Sequence, residues 1–405
     1  MKILHTADWH IGKKLHKHDL ARDFDLFIKW LGNTIEKEKV DVLLVSGDIF
    51  DLANPSSDAR RQYYRALMEL RKFNCKIILT GGNHDSPAML NAPAEILREL
   101  DMHVIGGLPE DLEEVIIPVK NEQGETEVVI AALPYLRDSD LRSAGDGHTY
   151  EDRLEALRKG IQLTFSRAAE ICEQQFPGVP AIAMGHLFAA GAETSESERD
   201  IQIGNQAAFN ALQFGDYFEY IALGHIHKPQ KVNAAVPTYY SGSPLPLSFS
   251  ERRDEKRVLL LDTAALGEPQ SIPVPVFRSL LKISGSLEEL QQKLREPGSV
   301  KELDTLIEVE MQEEDYDANK IFLLDELVTG FQQPGFEIVK HRASFRNKIS
   351  GAGEIYNNRQ LEDLKPREVF TELIERHAYD ENTHREILGA FDELLEELQQ
   401  KENAG

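Results

Sequence analysis

Five times in this chain an apolar, β-forming run ends and side chains of metal-ligand type follow at once, four of the five through a glycine. The clearest instance is Ile77-Ile78-Leu79-Thr80 followed by Gly81-Gly82-Asn83-His84-Asp85. The others are Met1–His5 before Asp8-Trp9-His10, Val40–Ser46 before Gly47-Asp48, Pro180–Met184 before Gly185-His186, and Tyr220–Leu223 before Gly224-His225-Ile226-His227. Each reads as a buried strand that delivers polar groups to a loop. Any one of these positions taken alone is more often a cap, a core histidine or a solvated turn than a ligand. Recurrence at five separate strand ends is what an accidental arrangement does not produce.

The intervening segments decide how those ends meet. An amphipathic helix over Asp23 to Lys39 and a second over Ser57 to Lys72 separate the first three strands, and a β-α-β-α-β order implies parallel pairing. The loops bearing Asp8, Asp48 and Asn83 then share one edge, the carboxyl edge where open α/β sheets bind ligands. After Val104, the runs Glu114–Val119 and Val128–Pro134 around Asn121-Glu122-Gln123-Gly124 read as a hairpin in a second sheet. A helix over Glu151 to Gln175 follows, then the strands that lead to His186 and to Gly224, and two more over Thr238-Tyr239-Tyr240 and Arg257 to Asp262. The fold class expected is α/β.

Collected, Asp8, His10, Asp48, Asn83, His186, His225 and His227 are seven oxygen and imidazole donors, enough for two divalent cations if one carboxylate bridges. Asp48 is the natural bridge. Mixed carboxylate and imidazole ligation suits Mn, Fe or Zn better than Ca. Two such cations activate water and stabilise the attacking and leaving oxygens of a phosphoryl displacement.

These motifs, in this order, resemble those of the calcineurin-like metallophosphoesterases over about the first 260 residues. His5-Thr6-Ala7-Asp8-Trp9-His10 with Gly12, and Ser241-Gly242-Ser243-Pro244 through Ser248-Phe249-Ser250-Glu251, narrow the likeness to nuclease subunits that work with an SMC-like ATPase. The resemblance implies a four-layer α/β/β/α core with two packed sheets and two Mn²⁺ ions, with Mg²⁺, Fe or Zn as other candidates. One ion would be held by Asp8, His10, Asp48 and His227, the other by Asp48, Asn83, His186 and His225. His84, not a ligand, would protonate or stabilise the departing oxygen, a task suited to an imidazole. Asp85 would orient His84 or its loop. Where many relatives carry a histidine three residues after the bridging aspartate, this chain has Asp51, so that histidine's role is not carried over; Asp51 is expected to support a ligand from behind.

The same resemblance divides the chain into a nuclease domain at 1–275, a capping domain at 279–345, and a linker with ATPase-binding C-terminal helices at 346–405. It also implies DNA as substrate, a homodimer, and a heterotetramer with the ATPase. From the residues themselves, Pro269 to Pro275 read as a boundary or linker, and a small β-α-β-α-β array follows from Leu280 to His341. The locally basic Lys340–Arg367 stretch reads as a linker, and the apolar spacing of Val369 to Leu398 as helices that dock. The net charge of −24 argues against nucleic acid less than it first suggests. Residues 279–405 hold 28 acidic against 15 basic side chains, a net of −13, leaving −11 for the first 278. With only Cys75 and Cys172 and no apolar run near the ~20 residues of a membrane span, a cytoplasmic protein is expected. Two competing readings share the core: a phosphoesterase for small or protein substrates, and a DNA-binding scaffold with a vestigial metal site. The capping domain, basic stretch and tail favour the nuclease over the first, and the complete donor set counts against the second.

Overall fold

The computed structural model describes residues 1–141, 150–195, 197–198, 208–347, 388 and 390–391. Two six-stranded sheets carry the first 273 residues. The first runs Gln270–Pro273, Arg257–Asp262, Lys2–Thr6, Val42–Ser46, Lys76–Thr80, Met102–Ile105, and its last four strands are parallel. The second runs Gln230–Val232, Thr238–Tyr240, Tyr220–Gly224, Ala181–His186, Thr126–Ala132, Ile116–Lys120, with the four middle strands parallel and a hairpin at the Ile116 edge.

The two-residue period of the strands builds the layers. Ile3, Val42, Leu44 and Ile78 face the second sheet. Their neighbours Leu4, Leu43, Val45, Ile77 and Leu79 turn the other way, onto Phe24, Phe27 and Leu31 of helix Ala21–Glu38 and Tyr63 and Leu67 of helix Ser57–Leu70. Ser56 caps the latter, accepting from the Ala59 amide, which fixes where that helix begins. Helix Tyr150–Gln175 covers the second sheet through Ile161, Phe165 and Ala168. Each such fully buried side chain contributes about 1.5–3 kcal/mol. The α/β/β/α order expected from the resemblance is the one observed. His5 ties the sheets: its Nε2–H donates to the Leu223 carbonyl at 3.2 Å and its Nδ1 accepts from the Tyr220 hydroxyl at 3.1 Å. Burial lowers its pKa to about 3, so it bridges as the neutral ring.

Two expectations are corrected. The proline-rich stretch is no linker: Gln270–Pro273 pairs with Arg257–Leu260 as an edge strand, a position where proline's missing donor costs nothing. Just beyond it, the Arg278 guanidinium grips Asp23 of the first helix with two bonds of 2.8 and 2.9 Å, both residues buried. Breaking such a pair costs about 3–5 kcal/mol, so this stretch is fastened to the core. Nor is the start of the basic stretch a linker. Phe336–Asn347 is a strand, and Lys340, Arg342 and Arg346 pair with Glu308, Glu310 and Glu314 of strand Thr305–Asp315. Alternate residues of one strand face alternate residues of its neighbour, so the basic count reflects a cross-strand ladder.

The chain divides into two compact units, one formed by Met1–Lys282, Gly298–Glu308 and Gln333–Lys340, the other by Ile283–Pro297, Val309–Gln332 and His341–Gly405. The division falls inside strands Leu280–Gly285, Thr305–Asp315 and Phe336–Asn347, which form a three-stranded sheet with helices Leu287–Lys293 and Ala318–Thr329 between them in sequence. Residues 348–387, including the rest of the basic stretch, and nearly all of the C-terminal helices expected to bind a partner lie outside the described residues. Among the described residues no helix is long and apolar enough to cross a membrane.

Candidate metal centre

Parallel pairing brings Thr6, Ser46 and Thr80 to a common edge of the first sheet, and His186 and Gly224 to that of the second. The loops that leave these ends bend sharply. Asp8, His10, Asp48 and His225 all adopt positive φ, at 54°, 45°, 48° and 103°. Non-glycine residues held there cost about 1–3 kcal/mol each, strain that proteins retain chiefly at functional sites. Two glycines permit the close approach. A Cβ on Gly82 would stand 2.1 Å from the Asp48 carboxylate, and one on Gly224 1.7 Å from the Ser46 carbonyl.

All eight residues singled out from the sequence converge here. The ligand atoms of Asp8, His10, Asp48 and His227 lie within 4.8 Å of one another, as do those of Asp48, His186 and His225, with Asp48 common to both groups. Asn83 joins the second: its Oδ1 is 2.9 Å from His186 Nε2 and 3.3 Å from His225 Nδ1. In the first, the His10 and His227 Nε2 atoms face each other at 3.1 Å.

A divalent cation fits these donors. Asp8 Oδ2 and His225 Nε2 are buried with no hydrogen-bond partner, a state that costs about 1–3 kcal/mol per group and is rare without a function. Carboxylate with imidazole is the donor chemistry of a first-row transition cation. The charges show the same need. Burial, reinforced by Asp48, pushes Asp8 up to about 7 against the pull of His186 and His10. Burial also opposes the charge on His186, but Asp48 and Asp8 overcome it and raise the ring to about 9.

His84 stands beside the donors: a ring nitrogen lies within 4.8 Å of ligand atoms of His10 and Asp51. Its Nδ1–H donates to the Asp51 carbonyl at 2.8 Å, which leaves Nε2 on the side of the centre, 3.9 Å from Asp48 Oδ2. Its backbone amide donates to Asp48 Oδ1 at 2.9 Å. Asp85 holds the loop that carries His84. It accepts from the amides of Ile49, Phe50 and Gly82 at 2.8–3.0 Å and so clamps the Asp48 loop to the Asn83 loop. Asp51 Oδ1 lies 3.3 Å from His10 Nδ1, without hydrogen-bond alignment, and 3.1 Å from the Lys13 ammonium. A cleft of about 700 Å³ opens on this side, lined by Asp51, Lys14, Arg61 and Arg65 among others.

Reasoning from the sequence missed what stands behind the histidines. His186 Nδ1–H donates to the Ser46 carbonyl at 3.0 Å, fixing its tautomer, and His227 rests on Ser197, Glu198 and Lys256. Backbone carbonyls carry no residue-type signal. Glu251, which backs Ser197, does lie in the Ser241–Glu251 stretch already singled out, but nothing local says which ligand it serves.

The family profile described as calcineurin-like phosphoesterase matches residues 1–229, and one described as type 5 capsule protein repressor C-terminal domain matches residues 276–378. The chain is 40% identical over 286 residues to the SbcD subunit of the nuclease SbcCD from Rhodobacter capsulatus, covering 68% of this chain and 69% of that one. It is 29% identical to the protein of the same name from Escherichia coli K12 across 98% of both chains, and 31% identical over 265 residues to that of Bacillus subtilis, covering 65% and 66%. With its phosphoesterase motifs gathered from the strand ends of both sheets into one site and these relatives spanning most of its length, the chain belongs to the calcineurin-like phosphoesterase family, in the branch of the SbcD-type nucleases.

Proposed function

We propose that this chain is a metal-dependent DNA nuclease, the catalytic subunit of an SbcCD-type complex, and that it hydrolyses phosphodiesters at a two-Mn²⁺ centre. The observation that carries this is the sharing of Asp48 between two groups of buried donors that five separate loops deliver. Asp8, His10, Asp48 and His227 would hold one cation, and Asp48, Asn83, His186 and His225 the other. When bound, the pair supplies Lewis-acid activation of water and neutralises phosphate charge.

The remaining chemistry belongs to side chains of this protein. His84 spends its Nδ1–H on the Asp51 carbonyl, so Nε2 is the atom that carries a proton to the leaving oxygen as the P–O bond breaks. Asp85 keeps that loop in register with Asp48. Asp51, with Lys13 against it, braces His10 from behind. The relatives are named as subunits of the nuclease SbcCD, and by that analogy the partner is the ATPase SbcC, bound through the helices near residues 366–400. The working form would be a homodimer within a heterotetramer in the cytoplasm. DNA cleavage would run 3′ to 5′ from duplex ends and open hairpins and single strands, as repair and recombination require.

The test is a nuclease assay of the purified chain with and without SbcC, ATP and Mn²⁺. Mn²⁺-dependent cleavage of DNA is expected. If only small or protein phosphate esters are hydrolysed, the substrate assignment fails; if nothing is hydrolysed under any condition, the catalytic reading fails with it.

A further inference from the structure

We infer that Ser197, Glu251 and Lys256 are positioning residues for His227, joined to it as a hydrogen-bonded relay that sets the ring's tautomer and angle toward the cation; this rests on the metal-centre reading above. His227 is held at three atoms. Its ring Nδ1 is 2.6 Å from Ser197 Oγ, its amide donates to Glu198 Oε1 at 2.9 Å, and its carbonyl accepts from the Lys256 ammonium at 2.9 Å. Ser197 in turn hydrogen-bonds the Glu251 carboxylate, and Glu251 is bonded to Lys256 at 2.5 Å.

The direction of the relay follows from which atoms can donate. Glu251 Oε2 takes a bond from the Lys256 ammonium at 2.5 Å and another from the Leu247 amide at 3.2 Å, the surroundings of a carboxylate. A carboxylate only accepts, so the Ser197 hydroxyl donates to it. The same hydroxyl oxygen then accepts from His227 Nδ1–H. That leaves the lone pair of His227 on Nε2, the atom facing His10 Nε2 within the first donor group. A carboxylate that orients a ligating imidazole is a recurrent device in metal proteins, and here a serine is interposed.

A relay built only for packing would not need ions. Glu251 is 1% and Lys256 6% exposed, and taking such a pair out of water is costly unless every lone pair and proton is used. They are used. Glu251 also accepts from the Leu247 amide and the Ser243 and Ser248 hydroxyls, and Lys256 donates to Ser243. The two ions therefore form a hydrogen-bonded block that reaches the carbonyl of one candidate ligand directly and its ring through Ser197. This also gives a physical role to Ser243 and Glu251 of the Ser241–Glu251 stretch: they shape the support of His227 and stay off the donor list.

The experiment is Mn²⁺ titration of the full chain by calorimetry, with metal-free melting measured beside it. Ser197→Ala is expected to weaken one of two Mn²⁺ sites about 10–100-fold while metal-free melting is unchanged. Ser197→Thr, which keeps the hydroxyl, is expected to restore it. Glu251→Gln should weaken the same site; if that variant does not fold, the serine pair still decides. His227→Ala is run in parallel. Loss of that site in His227→Ala with a native isotherm in Ser197→Ala overturns the relay alone. A native isotherm in His227→Ala overturns the metal-centre reading on which the relay stands.

Discussion

The two sheets contribute unlike chemistry to one site. From the first come both carboxylates, the amide, one imidazole in His10 and the general-acid candidate, on the loops of Asp8, Asp48 and Asn83. From the second come only imidazoles, His186, His225 and His227. The difference is one of charge balance. Asp8 and Asp48 are buried and repel each other, and imidazoles from across the interface offset them, which is why His186 is driven up to about 9. Supports differ too. On the first sheet the braces come from the neighbouring loop of the same sheet, as Asp85 and Asp51 show. On the second, His186 rests on the Ser46 carbonyl of the first sheet, and His227 on a serine and a buried ion pair.

The sharpest way to break this comparison is at its shared member. Asp48→Asn should abolish both cation sites in a Mn²⁺ titration and lower nuclease activity about 10⁴-fold, several kcal/mol of lost charge stabilisation. Retention of one native site would mean the sheets serve separate ions. His84→Ala should cost about 10³-fold in turnover and leave the Mn²⁺ isotherm native, since only proton delivery is removed; a weakened isotherm would make His84 a ligand after all. The seam itself can be probed by pH. His5 is neutral when folded, with a pKa of about 3, but takes up a proton near 6.5 once unfolded. The unfolded state therefore binds more protons between those values, and stability falls as pH drops below 6.5. From 6.5 to 5 the loss should be about 2 kcal/mol in urea unfolding, and His5→Gln should lack that component. The same pH slope in His5→Gln would show that the bridge is not what acid breaks. The smallest effect is expected at Asp51→Asn, about tenfold weaker binding at one Mn²⁺ site. An unchanged isotherm there would confine bracing from behind to the second sheet.

Much of this was legible from residue order. The helix face of Phe24, Phe27, Ile28, Leu31 and Ile35, the three parallel strands before Asp8, Asp48 and Asn83, and the hairpin before Pro134 all follow from short-range period and turn chemistry. Where the reading failed, the cause was tertiary. Proline near residue 270 punctuates a chain in general, yet an unpaired edge tolerates it. Lys340, Arg342 and Arg346 count as a basic run until strand Thr305–Asp315 places glutamates opposite them. Asp85 holds its own loop through the Gly82 amide, as expected, and its added bonds to the Ile49 and Phe50 amides depend on the tertiary fold.

What the sequence determined by itself was the inventory: which residues are ligand-type, that each stands at the end of an apolar strand, and that glycines precede four of the five groups. Those are local properties, set by side-chain chemistry and backbone freedom within a few positions. Only the tertiary structure decided which nitrogen each histidine presents, that Asp85 ties the Asp48 loop to the Asn83 loop, and that Glu251 and Lys256 stand behind His227. Such facts depend on strand order and sheet packing across separations that reach 217 positions between His10 and His227, and on hydrogen-bond partners that no local pattern encodes.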